Sequence, residues 1–258
     1  MYSSKIQHIL EPNYKTYPLL AEVFKKIADR NTILFLGAGA SVGDSKYLSK
    51  DLIDYYEEKK GISWNISDLT EFVDTLINDP SCSREEFDNL VDVCLRNYRK
   101  TKAHEVLARL NWREIITTNY DLLIENSFEE IKGTPAQNLR LKQIRERKDY
   151  GFRPDNDELL YIKLNGCLSD KKKYKLVAST DDFEKAKPFY RVVLNSLKAL
   201  SDNIQFLSIG YSFSDLLAKQ ILEKFDAYNY RDKRWIFAVD PFVNTAKLPY
   251  YTNKKYAL

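Results

Sequence analysis

The chain has 258 residues, 44% of them hydrophobic, with 40 Lys and Arg against 37 Asp and Glu for a formal net charge of +3. That length suits one large domain, or one domain with a sizeable insertion, and can bury a full core. The near-neutral balance argues against a dedicated nucleic-acid binder, no apolar run approaches the roughly 18 residues needed to span a bilayer, and Met1 to Leu10 holds no signal-peptide core.

Leu19, Leu20, Val23, Phe24 and Ile27 recur at helical spacing and predict a helix leading into the first strand, Thr32–Leu36. That strand runs directly into Gly37-Ala38-Gly39-Ala40-Ser41-Val42-Gly43. A glycine-rich turn at this place lets the backbone approach a phosphate and aims N–H groups at it. It departs from the dinucleotide fingerprint G-x-G-x-x-G, because Val42 stands where the third glycine belongs. The same residues also fit a tight strand-to-helix turn with no ligand.

Three helical stripes follow: Leu69, Phe72, Val73, Leu76 and Ile77; then Phe87, Leu90, Val91, Cys94, Leu95 and Tyr98; then Ala103, Val106, Leu107 and Leu110. They exceed one crossover helix, so a helical insertion over about residues 44–112 is expected beside the sheet. Cys82, Cys94 and Cys167 form no C-x-x-C pair. Neither a zinc site nor a disulfide framework is indicated, and a reducing, cytoplasmic setting is the simplest reading.

Glu114–Thr117 reads as the next strand, ending in Thr117-Thr118-Asn119-Tyr120-Asp121. Asn119 or Asp121 could cap a helix over Leu122–Phe128. Alternatively the Asn119 amide, which can donate and accept together, faces a ribose or an attacking water. Residues 132–158 are rich in Arg and Lys and poor in aliphatics, which reads as a solvated loop or short helix, or else as a phosphate- or partner-facing patch. Leu159–Leu164 and Lys175–Ala178 are further strand candidates, and Asn165-Gly166 is a turn pair. Ile204–Ile209 leads into Gly210-Tyr211-Ser212-Phe213-Ser214-Asp215, whose Ser212 and Asp215 have capping-box spacing at a helix start that also suits an anion. Arg234–Val239 is the last clear strand. Asp240 follows it and would hold an adenine or ribose, or only shape a turn before Pro241. The ending, Tyr250 to Leu258, resembles the start of another strand, so the chain is expected to be the N-terminal part of a longer protein.

Four polar motifs at successive strand ends point to a nucleotide site at the carboxyl edge of a parallel sheet. In combination and order, Phe35–Ser41 (FLGAGAS), Ile116–Asp121 (ITTNYD), Lys163–Gly166 (KLNG) and Ile209–Asp215 (IGYSFSD) resemble the sirtuin-like domains of bacterial anti-phage systems, such as Thoeris effectors and the defence-associated sirtuins. The resemblance spans roughly residues 30 to 245. It implies an α/β fold: a Rossmann-like parallel sheet flanked by helices, with an inserted helical subdomain. It implies NAD as substrate, cleavage of the nicotinamide–ribose bond and no metal.

By motif, Gly37, Ala38, Gly39, Ala40 and Ser41 would cradle the pyrophosphate. Asn119 and Asp121 would face the nicotinamide ribose. Gly210, Ser212 and Asp240 would contact phosphate or adenosine. The resemblance further implies a homo-oligomer, a C-terminal sensing domain or partner that responds to a phage component, and arrest of the infected cell through NAD depletion. The family has His-Gly where this chain has Asn165-Gly166. That histidine is the general base, and asparagine cannot accept a proton near neutral pH.

Two readings follow. One is an NAD hydrolase whose activity is weakened at position 165. The other is an NAD- or ADP-ribose-binding sensor without turnover. His104 lies on a patterned helix outside the motifs and reads as structural.

Overall fold

The apolar run Thr32–Leu36 forms strand β1 and is buried at every position. The computed structural model describes residues 17–41, 48–96, 98–134, 137–150, 155–170, 175–198, 204–211, 236–239 and 256–257. Helix α1 (Tyr17–Ala28) precedes β1, and a 3-10 turn over Ala38–Ala40 leaves it. Four helices follow: α2 (Ser49–Lys60), α3 (Leu69–Asn78), α4 (Arg84–Leu95) and α5 (Lys102–Arg109). Then come β2 (Glu114–Thr117), α6 (Leu123–Ile131), β3 (Arg140–Ile144), β4 (Glu158–Lys163), α7 (Thr180–Lys198), β5 (Gln205–Ile209), β6 (Ile236–Val239) and β7 (Tyr256–Ala257).

The strands make one seven-stranded sheet in the order β3-β4-β2-β1-β5-β6-β7, with every pairing parallel. The chain leaves β1 toward β2 on one side and returns as β5 on the other. That makes β1/β5 the topological switch point, where an open α/β sheet leaves a crevice at its carboxyl edge. The expected Rossmann-like architecture is therefore present.

Alternation along β1 divides the core. Ile33 and Phe35 point to one face, packed with Phe189, Tyr190, Val193, Leu194 and Leu197 of α7. Leu34 and Leu36 point to the other, where Val23 and Ile27 of α1, Leu107 and Ala108 of α5, and Phe128 of α6 cover them. A third cluster lies within α2, α3 and α4 and includes Ile53, Phe72, Val73, Leu76, Phe87 and Val91. Tyr120, Leu176 and Ala178 join that cluster from the carboxyl edge of the sheet, so the helical layer adjoins the switch-point edge.

Three sequence expectations are corrected. Lys175–Ala178 is not a strand of the sheet. Leu176 and Ala178 are buried against the helical layer instead of a neighbouring strand. The basic stretch contains an edge strand, β3, whose side chains are exposed or half-buried except Ile144. An edge position leaves one side of such a strand to solvent and tolerates the charge. The stripe assigned to α5 is rotated: Val106 is 54% exposed, while His104, Leu107 and Ala108 are buried.

Candidate functional site

Register brings the motifs together. Leu36 is level with Thr117 and Ile209, and Thr117 is level with Lys163. Strands β1, β2, β4 and β5 therefore end in one row, and the residues after each end share one edge. The Leu164 N–H donates to the Thr117 carbonyl (2.8 Å), and the Gly37 N–H donates to the Ile209 carbonyl (3.0 Å), carrying the ladder just past the strands.

The glycine turn interlocks with the end of β5. The Gly39 N–H donates to the Gly210 carbonyl at 2.8 Å. Gly210 has φ +65°, and a Cβ there would sit 2.0 Å from the Ala40 nitrogen. A Cβ on Gly37 or Gly39 would fall 2.6 or 2.8 Å from the Gly210 oxygen. These glycines are required first by backbone meeting backbone. Ala40 and Ser41 N–H groups donate back to Gly37 and Ala38 carbonyls, each at 3.0 Å. Within Gly37–Ser41, the Ala38 N–H is the one with no partner among the described residues, and Ala38 is exposed.

Behind the turn lies a directional chain of hydrogen bonds. Asn119 Nδ2 donates to the Gly37 carbonyl (2.9 Å) and to Ser41 Oγ (2.8 Å). Ser41 Oγ donates to Asp121 Oδ2 (2.6 Å), and Asp121 Oδ1 accepts the Leu123 N–H (3.0 Å) at the start of α6. The Gly37 carbonyl can only accept, which fixes the orientation of the Asn119 amide. Both amide protons are committed, so the half-buried Asn119 keeps only Oδ1, which has no partner among the described residues. Asn119 can therefore accept a hydrogen bond from a ligand but has no proton left to donate. Ser41 and Asp121, 5% and 6% exposed, have their side-chain oxygens engaged within the protein.

Asn165, 6% exposed, sits at the end of β4. Its carbonyl accepts the Val177 N–H (2.9 Å), and its Oδ1 is 3.4 Å from the Tyr190 hydroxyl, which donates to it. Gly166 follows at φ +91°, with room for a Cβ closed by the Lys175 carbonyl at 2.9 Å. Ser212 and Asp240 lie outside the described residues.

Sequence reasoning missed the supports beneath this row. Lys163 is fully buried. Its ammonium donates to Glu125 Oε1 (2.9 Å), to the Tyr120 carbonyl (3.5 Å) and to the Asp121 carbonyl. Tyr161 OH donates to Glu125 Oε2 (3.2 Å), and Cys167 Sγ lies 3.7 Å from Oε1. Burial opposes the Lys163 charge, but Glu125, Cys167 and Asp121 outweigh it and hold its pKa above the ordinary value. A lone cation closing an otherwise apolar strand was the available signal. His104, read from the sequence as structural, is 2% exposed, and its Nδ1 accepts the Thr101 N–H at 3.0 Å at the start of α5.

Among the described residues no group of three or more His, Cys, Asp or Glu is arranged to hold a metal ion, and no helix is long and apolar enough to cross a membrane.

The sequence model of the SIR2-like domain matches residues 113–257. The chain is 28% identical over 216 residues to a protein of Bacillus cereus (strain MSX-D12) named NAD(+) hydrolase ThsA. It is 27% identical over 221 residues to a protein of the same name from Enterococcus faecium, and 28% over 215 residues to one from Cytobacillus dafuensis. These alignments cover 81%, 84% and 80% of this chain but 43%, 43% and 40% of the relatives, so the chain spans about two-fifths of their length.

Proposed function

The chain belongs to the SIR2-like domain family, and on that premise we propose that it binds NAD at the β1/β5 edge and cleaves the nicotinamide–ribose bond, as part of an anti-phage defence protein. The observation that carries this reading is the orientation of Asn119. The Gly37 carbonyl and Ser41 Oγ, itself donating to Asp121, take both amide protons and leave only Oδ1 for a ligand. An acceptor there suits a ribose hydroxyl or a water molecule, both of which donate. In hydrolysis the C–N bond to nicotinamide breaks, its electron pair leaves with the neutral base, and water forms the new C–O bond to an oxocarbenium-like ribose carbon. The products are nicotinamide, ADP-ribose and one proton. The dipole of the glycine turn and the Ala38 N–H face the pyrophosphate. Ser41 and Asp121 act through Asn119.

Asn165 cannot take the proton that a histidine would, and general-base catalysis is worth about 10²–10⁴-fold. This chain therefore turns over slowly. Its hydrogen bond with Tyr190 favours a second reading in the same site: an NAD- or ADP-ribose-binding sensor that does not turn over. Nicotinamide release from NAD, measured for the chain and its Asn165→His variant beside NAD affinity, separates the two. Release that rises at least tenfold with histidine supports the hydrolase. Tight binding with no release from either form supports the sensor. No binding by either form sinks the nucleotide site.

A further inference from the structure

Lys163 closes β4 two residues before Asn165, and its ammonium is fully committed inside the protein. It donates to Glu125 Oε1 at 2.9 Å and to two successive main-chain carbonyls, that of Tyr120 at 3.5 Å and that of Asp121. An ammonium has three protons and no acceptor, so this set leaves none for a ligand. Both carbonyls belong to the β2–α6 loop, which also carries Asn119. Successive carbonyls of an extended, pleated chain point to opposite sides. Here two of them converge on one cation, where the chain bends at Asp121 on its way into α6.

Tyr120 ties the same loop to the segment after β4. Its carbonyl also accepts the Leu168 N–H (3.0 Å), its hydroxyl donates to the Val177 carbonyl (2.8 Å), and the Val177 N–H donates to the Asn165 carbonyl (2.9 Å). We propose that Lys163 is a positioning residue for the nucleotide site: its buried ammonium gathers the Tyr120 and Asp121 carbonyls, fixes the bend, and so holds Asn119 and Asn165 in one frame, with Glu125 as the counter-charge. This rests on the reading of this sheet edge as the nucleotide site. Tyr161 OH at 3.2 Å and Cys167 Sγ at 3.7 Å share the Glu125 carboxylate. A buried ion pair gives little net stability over apolar residues of the same volume. What this pair supplies is the placement of two carbonyls, which no apolar side chain can hold.

Placement and stability can be separated by removing the charges singly and together. Glu125→Gln keeps the donors of Lys163 and an acceptor for Tyr161 but removes the counter-charge. It is expected to lower the melting temperature and to keep ADP-ribose affinity, by calorimetry, within about threefold of the parent. Lys163→Met leaves Glu125 buried without its cation and is expected to lose both stability and affinity. Lys163→Met, Glu125→Leu and Tyr161→Phe combined remove the charges and the stranded hydroxyl. This triple variant is expected to melt above Lys163→Met yet to bind ADP-ribose about tenfold more weakly than the parent. A folded triple variant that binds within about threefold of the parent overturns the proposal. So does a Glu125→Gln variant that loses as much affinity as Lys163→Met.

A second arm does not depend on nucleotide binding. Three amides report on the loop: Asn119 N–H, held by Thr117 Oγ1 (3.0 Å), Leu123 N–H, held by Asp121 Oδ1 (3.0 Å), and Leu168 N–H, held by the Tyr120 carbonyl (3.0 Å). Their hydrogen exchange is expected to quicken in the triple variant while that of β1 and β5 stays as in the parent. Unchanged exchange at all three amides, or an equal rise in β1 and β5, overturns the frame. If the parent chain binds neither ADP-ribose nor NAD, the nucleotide reading fails while this arm still decides whether Lys163 holds the loop.

Discussion

Two glycines share one backbone conformation and face different surroundings. Gly61 has φ +66° with nothing within 4 Å of where a Cβ would stand, while Gly210, at φ +65°, would place a Cβ 2.0 Å from the Ala40 nitrogen. Gly61→Ala is expected to cost about 1–2 kcal/mol, the left-handed penalty alone. Gly210→Ala adds a backbone clash, which takes the loss to about 3 kcal/mol or more and separates β1 from β5 at the site. Urea denaturation of the two variants measures the difference; equal losses would show that the interlock yields easily. Residue-level chemistry was partly legible in the sequence. The motifs pointed to Asn119, Asp121 and Asn165 by their places after apolar strands. Reading Asn119 as donor and acceptor together was too generous, because the commitment of both amide protons depends on Gly37 and Ser41, far away in sequence. The pairing of Lys163 with Glu125 was invisible for the same reason: across 38 positions it leaves no local pattern, although Lys163 alone stood out as a cation closing an apolar strand.

At the scale of elements, the helical layer is tied to the sheet by Arg84 at the start of α4. Its guanidinium pairs with Asp182 in the first turn of α7 and donates to the Leu176 carbonyl at 2.5 Å. Burial opposes ionisation of Asp182, but Arg84, Lys175 and Ser179 together hold its carboxyl well below the usual carboxylate range. Removing one partner of a buried pair costs about 3–5 kcal/mol. Lys175 and Ser179 remain beside Asp182, so Arg84→Ala is expected to cost about 2 kcal/mol. Amide exchange should rise first at residues 175–179, next to Asn165; a uniform rise across all helices would contradict a local tie. This joint also explains which elements were readable. β1, β2, β4 and β5 are covered on both faces and show as apolar runs. Lys175–Ala178 has the same composition but serves the helical layer, and composition does not reveal which neighbour an apolar segment meets. β3 failed in the other sense, since an edge strand carries charge that reads as loop.

For the whole molecule, two carboxyls set opposing slopes of stability against pH. Asp182, held low, contributes stability that is present above its unfolded value near 3.8 and is lost as pH falls through the lowered folded value. Glu114 does the opposite. Burial raises its pKa to about 7, with Arg113 opposing, and its Oε2 is buried without a hydrogen-bond partner among the described residues. Folding therefore favours its protonated form, and stability declines from the unfolded value near 4.5 up to about 7, by at most about 3 kcal/mol. The stability curve is expected to peak near pH 5. Glu114→Gln should melt higher than the parent at pH 8 and no higher at pH 5, as followed by circular dichroism. A parent curve flat from pH 5 to 8 would show that Glu114 is charged in the folded chain throughout.

The interlock of Gly39 with Gly210 also orders events in time. β1 is made well before its neighbour on the ligand side, β5, which lies 173 positions further on, Thr32 being level with Gln205. Contacts so distant in sequence close late, after the loop entropy between them has been overcome. A nascent chain that has not yet emerged past Gly210 has the glycine turn but no crevice around it. On the proposed reading, a catalyst that would drain the NAD of its own cell stays silent until that point of its synthesis, and becomes competent only once β5 has paired with β1.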